Sequence, residues 1–260
     1  MTDLTKTTAL SATLSKFIRA RYNISLAILM RLLDKEKPTS FSQVDSLFPK
    51  IGKEIDGMDP KLQKIVNRFV KQTYIKGKSD GTIKVSKAFK TKIVMPFNQQ
   101  HKNALNQVNK MAFQNIKNIN EQMKGDIRRE LYESISNGES PDNLSKRLEG
   151  VFKRKPKKSV KAFQKDVRAT PEFRAELIAK TELVRSYNAG TLQMLKQSGV
   201  KVKEWFTARD ERVCPICAPM NGQLRPVDEP FEGKDTKGRI LKVMHPTIHV
   251  RCRCTMLAKV

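Results

Sequence analysis

Cysteine and histidine residues are concentrated in one late part of this sequence. It contains four cysteines and three histidines, and six of these seven residues lie between positions 214 and 254. Cys214 and Cys217 are separated by two residues, a spacing that allows one tight turn to direct both sulfurs at a single ion. His249, Cys252 and Cys254 follow in a second short stretch. These residue types at this spacing indicate a metal site of thiolate and imidazole ligands.

Several ligand sets would complete a tetrahedral zinc site. Cys214 and Cys217 can be joined by His249 with Cys252, by His249 with Cys254, or by the two later cysteines. Four protein ligands leave no position open for water, so Zn²⁺ is expected as a structural cofactor. A redox pair, ordinary buried thiols and disulfides are the alternative interpretations of the same cysteines.

The elements that must position this cluster are indicated by the spacing of apolar residues. Helical spacing predicts helices over residues 8–35, 41–56, 60–76, 98–136 and 171–198. The stretch KGKSDGTI, residues 76–83, contains two glycines and predicts a turn.

The apolar pattern changes after Gly199. Alternating or β-rich stretches predict strands over 201–208, 238–244 and 251–258, and Asn221-Gly222 is a turn dipeptide. If residues 251–258 are extended, Cys252 and Cys254 face the same side. The predicted fold class is therefore α+β. A mostly helical N-terminal half with one long helix is followed by a small C-terminal α+β module, which has short strands and the Cys/His cluster.

The charge of the chain indicates a polyanionic partner. The formal net charge is +25 and the sequence pI is about 10.1, which favours attraction to nucleic acid. The densest basic stretch lies at 153–168, and it predicts non-specific double-stranded DNA contacts by Lys153, Arg154, Lys155, Lys157 and Lys158. A solvated linker is the alternative reading of this stretch.

Composition and order suggest three parts. We predict a helical domain over 1–150, a basic linker over 151–169 and the Cys/His module over 170–260. No run of 18 apolar residues occurs, and the first residues lack a basic start followed by an apolar block. We therefore expect no membrane partner and a reducing compartment, in which clustered cysteines favour metal over disulfides.

Three stretches together resemble a known family. AKTELVRSYNAG (179–190), WFTARDERVCPICAPMNGQ (205–223) and HPTIHVRCRCT (245–255) resemble the phage Mu protein F-like head morphogenesis family. The resemblance covers roughly residues 120–260. The sequence departs from the family pattern at Val250, where the family usually has proline. A His-Pro pair stands four residues earlier, at His245-Pro246.

This resemblance implies a minor head morphogenesis protein of a tailed bacteriophage. Such proteins associate with the portal and with head or scaffold proteins in the host cytoplasm, and a few copies remain in the virion. They are also linked to DNA packaging or delivery. On this interpretation, residues 1–150 dock to the portal or head, and the rest of the chain faces DNA.

Six further residues of the motif are expected to have structural roles. Glu182, Arg185 and Asn188 recur at three-residue spacing on one predicted helix. Such a helix would be pinned to the strand and the cysteine turn by hydrogen bonds, for example from Glu182 to Arg212. The remaining members of the set are Trp205 and Asp210.

We expect no catalysis. The alternative hypotheses are a zinc-dependent nuclease or other DNA-processing enzyme, and a zinc-ribbon DNA-binding regulator. A nuclease needs a general base and an open metal position, and the nearest carboxylates to the cysteine turn are Asp210-Glu211. A regulator that stacks bases needs interleaved aromatic and basic residues, but the chain has one tryptophan and four tyrosines.

Overall fold

Helices dominate the chain and the strands are confined to its C-terminal part, which confirms the predicted α+β class. The computed structural model describes residues 3–140, 143–144, 146–148 and 171–259. The long helices within these ranges are α1 Thr8–Glu36, α2 Phe41–Asp56, α3 Met58–Ala88, α4 Gln99–Ser136 and α5 Pro171–Gln197.

The strands are short and antiparallel. They are β1 Val202–Phe206, β2 Leu224–Pro226, β3 Phe231–Lys234, β4 Ile240–Val243 and β5 Thr255–Lys259. Strand β1 lies between β2 and β5 in a three-stranded sheet, and β3 pairs with β4. Asn221-Gly222 forms the predicted turn before β2, with Gly222 at a φ of +81°. Strands of three to five residues bury little apolar area, so this sheet needs support from other elements.

The described residues form two compact units. The sheet unit contains Met1–Ala12, Val66–Met111 and Ala179–Val260, and the helical unit contains Thr13–Ile65 and Ala112–Ile178. The predicted division at residues 150 and 170 follows chain order instead, and it stays a prediction because the proposed linker lies outside the described residues.

In the sheet unit, helices α3 and α5 approach each other backbone to backbone. A Cβ atom on Gly77 of α3 would lie closer than 3.0 Å to the Tyr187 carbonyl, and one on Gly190 of α5 would lie equally close to the Tyr74 carbonyl. Thr191 of α5 donates its hydroxyl to the Gly77 carbonyl at 3.0 Å. Only glycine permits this approach, because any side chain at either position would push the helices apart.

The turn predicted at residues 76–83 is therefore wrong. Helix α3 continues through this stretch to Ala88. Its two glycines, Gly77 and Gly81, face α5 and are both buried. Glycine usually weakens a helix because it gives the unfolded chain more freedom, but here the tertiary contact with α5 outweighs that preference.

The helix predicted over residues 98–136 is α4, and the apolar residues that recur along it are buried. Within the helical unit, Tyr22 of α1 donates to Asn120 of α4 at 3.2 Å, and Lys124 of α4 pairs with Asp56 of α2 at 2.8 Å. Apart from Ile135, the described residues of this apolar stripe are all under 9% exposed. They are Leu105, Val108, Ala112, Ile116, Met123, Ile127 and Leu131. The described part of the stripe thus faces the interior and offers no long apolar face to a partner.

The close contact at Gly77 and Gly190 predicts that alanine at either position destabilises the protein. We expect Gly77→Ala and Gly190→Ala each to lower the free energy of unfolding by about 1–3 kcal/mol, because the added methyl overlaps a carbonyl of the neighbouring helix. Urea unfolding monitored by circular dichroism measures this difference.

Gly125→Ala in α4 is the matched control, since a Cβ there meets nothing within 4 Å. It should be neutral or stabilising by up to about 1 kcal/mol, as helix propensity alone dictates. Stabilisation by all three substitutions would contradict the close packing of α3 and α5.

Candidate metal centre

The first cysteine pair lies in a tight turn that follows β1. The Cys217 amide donates to the Cys214 carbonyl at 3.0 Å and lies 3.3 Å from the Cys214 sulfur. The Ala218 amide also donates to the Cys214 carbonyl, at 2.9 Å. This helix-like turn, with Pro215 inside it, places both sulfurs on the same side of the chain.

His249 faces both sulfurs with one ring nitrogen. Its Nε2 lies 2.9 Å from the Cys214 sulfur and 3.0 Å from the Cys217 sulfur. Its Nδ1 lies 2.7 Å from the Val250 carbonyl, a partner that can only accept a hydrogen bond. The carbonyl therefore holds a proton on Nδ1, so Nε2 is the ring nitrogen that faces the sulfurs, as in zinc-bound histidines.

The second group of donors consists of sulfurs alone. The thiol sulfurs of Cys217, Cys252 and Cys254 all lie within 4.8 Å of one another. The Cys217 and Cys252 sulfurs are 3.8 Å apart, which equals the separation of about 3.8 Å for two thiolates on one tetrahedral zinc ion. Cys217 belongs to both groups, so it lies at the centre of the cluster. All four cysteines are free thiols.

The surroundings favour the ligand form of Cys214. Its pKa falls from the ordinary value to about 4, because the Cys217 side chain and the His249 ring stabilise the thiolate against the opposing effect of burial. The thiolate is the form that binds metal.

The cluster lies against an apolar wall within the sheet unit. Trp205, in β1, is fully buried and packs edge to face on Phe231, with ring centroids 5.2 Å apart. Met220, Cys217, Cys252 and Cys254 belong to the same apolar cluster. The donors are thus only sulfur and nitrogen atoms, and this donor chemistry fits a zinc ion.

The strand predicted over 251–258 begins only at Thr255. Cys252 and Cys254 lie before it in irregular backbone, and Arg251 adopts a positive φ of 56°. In an extended strand, the pleat alone would place the side chains of residues 252 and 254 on the same face. Here two anchors on α5 shape the segment instead.

Asn188 and Thr181 of α5 are those anchors. The Asn188 amide donates to the Cys254 carbonyl at 3.0 Å, and its oxygen accepts the Thr255 hydroxyl at 3.0 Å. The Thr181 hydroxyl accepts the Arg251 amide at 3.0 Å. Helix α5 therefore holds the second cysteine stretch at both ends.

An ion pair joins the two cysteine stretches. Arg253 donates both terminal nitrogens to the Asp210 carboxylate, at 2.6 and 2.8 Å, and this guanidinium holds the Asp210 pKa down at about 2. Arg212 donates its amide to the same carboxylate at 3.2 Å. The sequence marked Asp210 and Arg212, but it contained no signal that Arg253 would be the partner of Asp210.

The other residues singled out in the sequence do not belong to the donor cluster. Glu182 pairs with Arg185 at 2.5 Å on α5. His245 belongs to neither donor group; its Nδ1 lies 2.8 Å from the Pro246 carbonyl, and burial lowers its pKa to about 4. The five predicted DNA contacts at 153–158 lie outside the described residues.

The comparison with known families decides the identity. The model of the family described as Phage Mu protein F like protein matches residues 125–257, which is more than half of the chain.

The chain belongs to the Phage Mu protein F like family.

Membership of this family indicates a phage head morphogenesis protein with a place in the virion. The match contains α5, strands β1 to β4, the first three residues of β5 and every donor of the cluster. No curated protein and no solved structure matches the chain. None of the helices in the described ranges is long and apolar enough to cross a bilayer.

Removing the Asn188 side chain beyond Cβ tests its anchoring role. We expect Asn188→Ala to lower the free energy of unfolding by roughly 2–4 kcal/mol, because the buried Cys254 carbonyl and Thr255 hydroxyl each lose a partner. Urea unfolding measures the change. The control Asn118→Ala removes an exposed asparagine of α4 and should shift stability by no more than about 0.5 kcal/mol. Equal effects of the two substitutions on the free energy of unfolding would rule out the anchoring role of Asn188.

Proposed function

We propose that this family member is a minor head protein of a tailed phage that associates with the portal vertex during assembly. It stays in the particle in a few copies, holds a structural zinc ion, contacts double-stranded DNA without sequence preference, and catalyses no reaction. The family match carries the head assignment. The portal and head or scaffold proteins are its expected partners.

The geometry of the cluster supports a structural use of the metal. The cluster offers five sulfur and nitrogen donors, and Cys217, Cys252 and Cys254 among them are buried. A hydrolytic zinc site keeps one position for water and places a general base beside it. Asp210, one of the two carboxylates nearest to the cysteine turn in the sequence, is engaged by Arg253 through both oxygens. Its lowered pKa makes it a weak base.

Cys214, Cys217, His249 and Cys252 are the proposed zinc ligands. The first three donors form one group, and Cys252 adds a sulfur at the tetrahedral separation from Cys217. Cys254 then remains a neighbouring thiol. The ion would supply a staple for a sheet whose strands are too short to be stable alone.

Metal analysis of substituted protein tests this ligand set. Wild-type protein purified without chelators should contain close to one zinc per chain. Cys217→Ser should abolish zinc binding because Cys217 belongs to both donor groups, whereas Cys254→Ser, an equally conservative change, should retain it. Inductively coupled plasma mass spectrometry measures the content.

Zinc-free wild-type protein would contradict the metal assignment. Loss of zinc in Cys254→Ser together with retention in Cys252→Ser would show that Cys254, and not Cys252, is the fourth ligand.

The head assignment predicts where the protein is found. Quantitative mass spectrometry of purified empty heads and full virions should detect it in both at a few copies per particle, relative to the major capsid protein. Cross-linking of empty heads should join it to the portal protein. Its absence from both kinds of particle, with the protein present in the infected-cell lysate, would overturn the proposal.

A further inference from the structure

Basic residues are unevenly distributed in the described part of the sheet unit. Residues 66–111, which span the end of α3 and the beginning of α4, contain a single acidic residue, Asp80. They contain ten basic residues: Arg68, Lys71, Lys76, Lys78, Lys84, Lys87, Lys90, Lys92, Lys102 and Lys110. A segment with so few carboxylates produces a local positive potential that its own side chains do not neutralise.

Three of these lysines are crowded into one turn. Lys87, Lys90 and Lys92 lie at the end of α3 and all are exposed. Within the described ranges none of them forms an ion pair, unlike Lys50, Lys242 and Lys259, which pair with carboxylates at 2.8 Å. We call Lys87, Lys90 and Lys92 the lysine turn.

The backbone of the lysine turn is fixed. The Thr91 amide donates to the Ser86 carbonyl at 3.1 Å, and the Lys90 amide donates to the Lys87 carbonyl at 3.3 Å. Lys90 has a φ of +50°, a conformation that helix ends usually assign to glycine. A lysine there costs conformational energy, which its attraction to the negative end of the α3 dipole offsets only in part.

Apolar packing holds the turn against the sheet. Val85, two residues before Lys87, and Ile93, directly after Lys92, pack in one cluster with Val200 and Met256. The Ile93 amide also donates to the Ser86 hydroxyl at 3.0 Å.

From this arrangement we infer that the lysine turn is a binding site for the phosphate backbone of double-stranded DNA. Exposed, unpaired lysines on a fixed backbone are suited to phosphates, which repeat along DNA and need charge more than shape. A protein partner is a poorer fit, since lysine is depleted in protein interfaces. The inference rests on the proposed head function, which makes packaged DNA the available polyanion.

Salt dependence of binding tests the site on the full-length protein. Affinity for two unrelated 30-base-pair duplexes would be measured by fluorescence anisotropy over a salt series. The triple variant K87Q/K90Q/K92Q should lower the slope of log affinity against log salt by about 2.7, because each phosphate contact contributes about 0.9. Its loss of affinity between 50 and 200 mM salt should then be roughly 40-fold smaller than that of wild type.

Matched variants separate the effect of losing these particular lysines from the effect of lowering the net charge. K50Q/K242Q/K259Q removes the same charge from lysines that already have carboxylate partners, and it should leave the slope within about one unit of wild type. K87R/K90R/K92R keeps the charge and should keep the slope. The combined K153Q/R154Q/K155Q/K157Q/K158Q variant reports separately on the contacts predicted from the basic stretch at 153–168.

The outcomes distinguish two failures. Wild-type protein without salt-dependent DNA binding would overturn the proposed DNA contact itself. Salt-dependent wild-type binding with equal slopes for the lysine-turn and paired-lysine variants would overturn only this site.

An anionic membrane is the competing surface, because Phe89 and Val94 beside the lysines are 40% and 76% exposed. Vesicles containing phosphatidylglycerol provide the comparison. If the lysine-turn variant loses vesicle binding and keeps the wild-type DNA slope, the site binds a bilayer and the inference is wrong.

Discussion

The backbone contact between α3 and α5 is the constraint on which the C-terminal site depends. Gly77 and Gly190 allow the two helices to touch without side chains between them. This contact fixes α5, and α5 in turn fixes the second cysteine stretch through Asn188 and Thr181. A displacement of α5 would therefore move Cys252 and Cys254 relative to the turn that carries Cys214 and Cys217.

The cluster is held by interactions of three different kinds. Hydrogen bonds from α5 place the second stretch, the Asp210–Arg253 ion pair joins it to the first, and the Trp205–Phe231 contact supports both. The short strands could not provide this order alone. Since the sulfur and nitrogen donors are already gathered, a bound metal would add stability with little rearrangement of the chain.

Local spacing in the sequence was sufficient to predict much of this arrangement. The Cys-x-x-Cys pair and the second short stretch with His249, Cys252 and Cys254 indicated the donors, because such spacing constrains geometry over a few residues. The spacing of apolar residues predicted α4 for the same reason. What the sequence did not reveal depended on tertiary partners. Gly77 and Gly81 read as a turn because no local signal separates a helix-breaking glycine from one that admits a neighbouring helix.

The site shows the same division between local and long-range information. The alternation around Cys252 and Cys254 suggested a strand, but α5 imposes irregular backbone on them. The partner of Asp210 lies 43 residues away at Arg253, and no sequence spacing predicts such a pair. The lysine turn was also overlooked, because the stretch at 153–168 is richer in charge, whereas the lack of carboxylate partners becomes visible only in the fold.

The central claim is that a metal-bound cluster holds the C-terminal sheet in place, and hydrogen exchange tests it most directly. Amide exchange of wild-type protein would be followed by mass spectrometry with and without a zinc chelator. The account predicts faster exchange in residues 202–259 after chelation, with α2 at Phe41–Asp56 unchanged as the internal reference. Identical exchange in residues 202–259 under both conditions would contradict it.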